Sequence, residues 1–370
     1  TVVTVLDFFA SMEPLKEMFN LAYYTKLTSA FCQVYKPFAG KKFLADVLAS
    51  LDSLSLNERM RHTNIVLHRH LPSDYQKTVA LMMDVIPLLP KGYTNLVFPD
   101  YVSQFGTAHL KPSLKALAFF TQFGSSEFAI RTFLKTDFKY TLAQMYDWSE
   151  DKNEHVRRLS SEGSRPRLPW SFKLDEVIQH PKHTRPILEN LKKDESLYVR
   201  KSVANHLNDF SKDSPGYVLD LVTQWDLSHP HTGWIVKRGC RSLLKSGDQK
   251  AMALFQYTKK VHVWIKNFSL HPSTVAIGQA IYFEFDLISR KKTDQQLMVD
   301  YRIYYVKKNG SASPKTFKLT EVKLAANAAV HVSKKQRFQD FTTRKHFAGQ
   351  HWLEIIVNGS VLKKVGFRVQ

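Results

Sequence analysis

The chain has 370 residues, 44% of them hydrophobic, and a formal net charge of +20. Its length allows two or three domains with cores of their own, its apolar content excludes a disordered chain, and its charge points to a polyanion, either nucleic acid or an anionic membrane surface. No apolar run approaches the ~20 residues of a membrane span; two cysteines, Cys32 and Cys240, exclude a disulfide framework and, with no Cys/His spacing of a zinc site, predict a reducing cytoplasm and no bound metal.

Residues 1–11, TVVTVLDFFAS, lack the basic start and uninterrupted apolar stretch of a secretory signal and read as an extension ahead of Met12. Residues 12–260 read as one helix after another. Glu13–Tyr35, Gly40–Ser50, Ser55–His70, Tyr75–Leu89 and Ser113–Gly124 each carry apolar residues at three- and four-residue spacing, with Pro72, Gly92 and Pro99 in the connections. A weak internal repeat runs through this part. HVRRLSSEG around Val156 is echoed by YVRKSVANHL around Val199, 43 residues later, and by WIVKRGCRSLL around Val236, 37 residues after that; SEFAIRTFL around Ile130 is a fainter copy. A period of about 40 residues predicts helical pairs of the HEAT or armadillo type, with one helix of each pair lining a concave face. Basic residues at a fixed place in each repeat then either line that face or form ion pairs inside the solenoid, with Asp151 and Asp194 as partners.

Asp151 to Trp170, DKNEHVRRLSSEGSRPRLPW, concentrates the chemistry. It holds four arginines (Arg157, Arg158, Arg165, Arg167), two glutamates (Glu154, Glu162), two prolines and a tryptophan. His155–Glu162 reads as a short helix stopped by Gly163 in the left-handed conformation. Pro166 and Pro169 keep Ser164–Trp170 out of a helix.

The pattern changes near Val261. From there to Gln370 the period is two, with Ile281/Phe283/Phe285/Leu287 and Val299/Tyr301/Ile303/Tyr305 alternating with smaller or polar residues. Asn309-Gly310 and Asn358-Gly359 are hairpin signals. Seven or eight short strands predict an all-β immunoglobulin-like sandwich over 261–370, without the inter-sheet disulfide. Residues 266–370 hold 18 Lys+Arg and 7 Asp+Glu, a net +11, against 35 and 26, a net +9, in residues 1–265. Arg290-Lys291-Lys292, Lys307-Lys308, Lys334-Lys335-Arg337 and Lys363-Lys364 fall at or near predicted strand ends and turns. Lysines there blunt edge-to-edge pairing; an excess this large also predicts a second nucleic-acid contact, with Lys334, Lys335 and Arg337 as candidates.

HVRRLSSEGSRPRLPW and YVRKSVANHLND (Tyr198–Asp209) resemble the signature segments of the AlkC branch of the AlkC/AlkD DNA glycosylases. The resemblance extends over residues 12–260 and implies a HEAT-like solenoid; the strand-rich tail resembles the Ig-like domain that some members of the branch carry. It further implies a monofunctional base-excision-repair enzyme that removes cationic N-alkylated bases, 3-methyladenine above all and also 1-methyladenine, from double-stranded DNA without flipping the lesion into a deep pocket. The implied catalytic set falls on Glu127 in SSEFAIR, Glu162 in SSEGSR and Trp170 in RPRLPW. No cofactor, metal or membrane is implied, and a cytoplasmic monomer, at the nucleoid when bound to DNA, is expected.

The chemistry accounts for those residue types. A cationic alkylated base leaves as a neutral molecule, so no general acid is needed, while the sugar acquires oxocarbenium character. A carboxylate stabilises that cation, the same or another orients the water, and an aromatic face attracts the charged nucleotide. Arg157, Arg158, Arg165, Arg167, Lys201, Lys237 and Arg238 are the expected DNA contacts of the solenoid. Each residue also has a structural reading: Glu127 as a helix-start acid, Glu162 as a strut for Arg158 or Arg165, and Trp170 as a packing plug. Asn205, His206, Asn208 and Asp209 are too polar for a simple buried helix and are expected to bind neighbouring repeats or, as the alternative, to touch the DNA backbone. The competing reading of the whole is a non-catalytic HEAT-repeat DNA-binding or scaffold protein. The two readings part over whether Glu127 and Glu162 converge beside Trp170.

Overall fold

The structure, a computed structural model, describes residues 14–341 and 345–370; the 1–11 extension and Glu13 lie outside the described residues. After a 3-10 turn at Leu15–Met18 come α1 (Leu21–Val34), α2 (Gly40–Leu48), α3 (Leu56–His70), α4 (Tyr75–Val85), α5 (Val97–Phe105), α6 (Leu110–Phe120), α7 (Ala129–Thr136) and α8 (Phe138–Trp148). Then follow α9 (Glu154–Gly163), α10 (Asp175–Gln179), α11 (Arg185–Leu191), α12 (Leu197–Asp213), α13 (Pro215–Val222), α14 (Pro230–Gly239), α15 (Arg241–Ser246) and α16 (Gln249–Leu254). Local signals set the helix starts. Asn20 caps α1 by accepting from the Tyr23 amide at 3.0 Å, which splits the long helix expected from residue 13. Ser55 and Glu58 form a capping box on α3, and Asp74 and Asn153 cap α4 and α9. None of these helices is long and apolar enough to cross a membrane.

The described residues fall into two compact units, one running to Phe210 and taking up Leu227–Ile235, the other comprising Ser211–Asp226 and Val236–Gln370. In the first unit the helices pack as successive pairs of a HEAT-like solenoid. Ile130, Val156 and Val199, the repeat positions of this unit, are all fully or almost fully buried. Helix α9 packs between α8 and α11 and also touches α6. Gly163 differs from expectation. It is the last residue of α9, with no left-handed φ, and a Cβ there would stand 2.4 Å from Ile130 Cγ2. Glycine is needed for the close approach of α9 to α7, not for a helix-ending turn.

In the second unit eight strands are described: β1 (Val263–His271), β2 (Thr274–Val275), β3 (Ala280–Ser289), β4 (Gln295–Val306), β5 (Ala312–Leu324), β6 (Ala329–Arg337), β7 (Gly349–Val357) and β8 (Ser360–Val369). They form a three-stranded sheet, β1-β3-β6, and a five-stranded sheet, β2-β8-β7-β4-β5. The alternating residues meet between the sheets: Ile281, Phe283, Phe285 and Leu287 from one, Val299, Tyr301, Ile303 and Leu353 from the other. This is the expected Ig-like sandwich. Asn358 and Gly359, both at positive φ (45° and 81°), make the two-residue β7–β8 hairpin. At the β4–β5 connection Gly310 alone is left-handed. Lys363 and Lys364 sit inside β8 rather than at a strand end. Helices α15 and α16 belong to this unit: Gly247, which ends α15, meets Gly359 backbone to backbone, and a Cβ on Gly359 would stand 2.5 Å from the Gly247 Cα.

Candidate active site

The site is built where two successive repeats touch. Glu127 stands in the turn just ahead of α7, not in its first helical turn as expected. Ser126 anchors that turn through its Oγ, which donates to the Leu117 carbonyl at 2.8 Å, while Ser125 Oγ donates to Glu127 Oε2 at 2.9 Å. Glu162 is the penultimate residue of α9 and is 6% exposed. Arg158, one turn earlier on α9, reaches both carboxylates: it pairs with Glu127 Oε2 and lies 3.6 Å from Glu162 Oε1. Arg165 donates to Glu162 at 2.6 Å and to Asp209 of α12 at 2.8 Å.

Three carboxylates and three guanidiniums, Arg131 being the third, therefore balance. Burial works against ionisation of Glu162, but Arg158 and Arg165, with the Ser202 hydroxyl nearby, outweigh it and hold the carboxyl below its ordinary range. Glu162 is thus an anion at neutral pH and has no proton to give.

Nothing in the sequence marks out Arg131. It is fully buried and donates Nη1 to the carbonyls of Gly163 and Arg165 at 3.0 and 2.6 Å, and Nη2 to that of Phe172. Burial pushes its pKa down to about 10, assisted by Arg165, so it stays charged. Three carbonyls on one guanidinium fix the course of the 163–172 loop. At the tip of that loop the Ser171 amide donates to the Leu168 carbonyl, with Pro169 second in the turn and Trp170 third at φ 64°. That is the type II pattern, in which the third position ordinarily goes to glycine. A bulky residue there costs on the order of 1–3 kcal/mol. The conformation holds the indole out: Trp170 is 95% exposed, so it is no packing plug.

Glu127, Glu162, Arg165 and Trp170 line one open cleft of about 490 Å³, with Tyr198, Leu168 and Pro169 among its other walls. The requirement that both glutamates converge beside the tryptophan is met. The other expected contacts are distributed differently. Arg157 pairs with Asp194 at 2.6 Å and also donates to the Asp151 carbonyl, the internal ion-pair arrangement. Lys237, in the second unit, is held by Glu321 of β5. Arg167 is half-buried, whereas Lys201 and Arg238 are exposed. Lys334, Lys335 and Arg337 are exposed on β6, an edge strand. In α12, His206 is fully buried, its Nδ1 donating to the Ser161 carbonyl at 3.0 Å. Burial drives its pKa down to about 3, and Arg165 adds to this, so it is a neutral bracket between repeats.

The family described as "Uncharacterised protein YhaZ, C-terminal Ig-like domain" matches residues 264–370. The chain is 42% identical over 359 residues to "Uncharacterized protein YhaZ" of Bacillus subtilis, covering 97% of this chain and 100% of that protein. Among solved structures it is similar to the Pseudomonas fluorescens alkylpurine DNA glycosylase AlkC bound to DNA containing an abasic site analog, with a TM-score of 0.94 and 45% identity over 97% of this chain and 100% of that one. With near-complete coverage of both relatives, a solenoid seam carrying Glu127, Glu162 and Trp170, and an Ig-like domain at its C-terminal end, the chain belongs to the AlkC branch of the AlkC/AlkD HEAT-like family.

Proposed function

We propose that this protein is a DNA glycosylase of base excision repair, acting on alkylated purines. Its substrates are cationic bases in double-stranded DNA, 3-methyladenine and also 1-methyladenine. The observation that carries the reading is the convergence of two carboxylates and an exposed indole on one open cleft. The likeness to a solved alkylpurine DNA glycosylase supports it.

The lesion carries its own positive charge, so cleavage of its N-glycosidic bond sends the bonding electrons to the base, which leaves neutral. The Trp170 face attracts the charged nucleotide by ~0.5–2 kcal/mol. Glu162, ionised and close to the cleft, opposes the charge that develops on the sugar. Glu127 or Glu162 orients the water that adds to the anomeric carbon and accepts its proton. No side chain forms a covalent bond to the sugar, so the enzyme is monofunctional. The cleft is open rather than enclosing, which supports attack on a lesion that stays at the duplex surface. DNA phosphates are held by Lys201, Arg167 and Arg238 in the helical part, and by Lys334, Lys335 and Arg337 on the sandwich.

The test is chromatography of bases released from methylated duplex DNA by the wild-type chain and by Glu162→Gln. Free 3-methyladenine from the wild type alone, with equal DNA affinity for both, is the expected result. Release by Glu162→Gln at the wild-type rate overturns the assigned role, and no release by the wild type leaves the non-catalytic DNA-binding reading.

A further inference from the structure

On sequence alone Arg158 counts among the DNA contacts. Its surroundings say otherwise. The side chain is 12% exposed, its guanidinium contacts Glu127 and lies 3.6 Å from Glu162, and Nη1 also donates to Ser125 Oγ at 2.9 Å. One face of the guanidinium lies 4.9 Å from the centre of the Tyr198 ring. A phosphate contact needs donors that point outward; here they are spent inward, on residues of two repeats.

We infer that Arg158 is a positioning residue that spans the two repeats, holds Glu162 ionised beside Glu127, and aims both at the cleft. The inference rests on the glycosylase reading of that cleft. Two carboxylates brought to one site repel, and without a shared cation the pair retains a proton. Arg158 is the residue that touches both. The other charged and titratable groups around the pair have different duties. Arg165, on the loop, divides itself between Glu162 and Asp209 of α12. Arg131 of α7 is committed to backbone carbonyls. Tyr198 of α12 is neutral, its hydroxyl pKa raised by burial. Glu154 and His155 at the start of α9 lie toward Tyr198, the His155 ring 5.6 Å from it. None of these replaces a cation between Glu127 and Glu162.

The test compares wild type, Arg158→Gln and Arg158→Lys in single-turnover base release across pH, with salt titration of binding to undamaged duplex. Arg158→Gln is expected to lose about 100-fold in rate at pH 7 and to recover as pH rises, its acid limb displaced upward by roughly one unit or more. Arg158→Lys restores the position of the limb but not the full rate, because an ammonium cannot span two carboxylates as a planar fork does. Duplex affinity and its salt slope stay unchanged in both. A phosphate contact gives the opposite pattern: a salt slope reduced by about one, weaker binding and an unmoved pH profile, and that result overturns the inference.

Carbon-13 carboxyl titration of glutamate-labelled protein reads the same proton without turnover. Arg158→Gln moves the Glu162 carboxyl titration to higher pH than in the wild type; identical titrations overturn the inference. A wild type with no base release but with the expected titration difference would fail the glycosylase reading and leave the Arg158 pairing standing. Should Arg158→Gln not fold, Arg158→Lys decides alone: a rate deficit that saturating DNA does not repair supports positioning, and a full rate overturns it.

Discussion

The two units use charge in opposite ways. At the solenoid seam, arginines and carboxylates are buried, paired and balanced, and each guanidinium has a fixed geometric task. On the sandwich the cations of β6 stand exposed on an edge strand, in a stretch with a net charge of +11. Removing a paired buried charge leaves its partner uncompensated, whereas an exposed lysine contributes through long-range attraction that salt screens. On the proposed reading, chemistry and capture fall to different surfaces, and mutations in each should fail in different ways.

The sharpest break is expected from Glu162→Gln: about 10³-fold or more in base release, with binding intact. Replacing Lys334, Lys335 and Arg337 together by glutamine tests the other surface. It should weaken duplex binding about 10- to 100-fold at low salt and flatten the salt dependence by two to three units of slope, while saturated release stays near wild type. A flat response would show that β6 carries only edge protection. This replacement is cleaner than deletion after residue 260, which would strip Gly247 of its contact with Gly359.

Next in size, Gly163→Ala forces a methyl group against Ile130 and should cost about 1–3 kcal/mol, read as a lowered denaturation midpoint, together with lost activity as the two repeats part. Equal stability would mean that the seam is softer than its packing suggests.

The smallest effect is expected at Asp300 of β4, which is 2% exposed. Burial raises its pKa to about 6, opposed by Lys245, Lys318 and Arg302 and assisted by Glu321. The folded value exceeds the unfolded one of about 3.9, so the native state binds the extra proton and stability falls as pH rises from about 4 through 6. Asp300→Asn should remove that slope and gain about 1 kcal/mol at pH 7.5, measured by denaturant titration; an unchanged slope would assign it to other groups.

The helices and strands were legible because period and capping are local. Ser55 at a helix start and the Val156/Val199 repeat announce themselves in the sequence, whereas the Asn20 cap is hidden inside an apolar periodicity that runs on from residue 13. The site was legible only in part. Spacing cannot say that residues 127 and 162 meet, since that depends on how one repeat stacks on the next; the resemblance to a family supplied it. Arg131 does not stand out in the sequence, because a buried arginine reads like a surface one. The available signal was its place beside Ile130 and Leu134 on a stripe that is otherwise apolar. Gly163 reads as a helix stop, since a glycine at a helix end suggests a turn before it suggests a neighbour.

Gly163 also bears on how such a site could arise. Because it lets α9 close on α7, the two carboxylates belong to no single repeat, and copying either repeat elsewhere in an array would reproduce half a site. Extra repeats can be added ahead of Gly92 or after α12 without parting the residues that line the cleft. One inserted between α7 and α9 would separate Glu127 from Glu162 by at least a helix diameter, about 10 Å. The array is therefore free to change length at its ends and locked in register at this one joint.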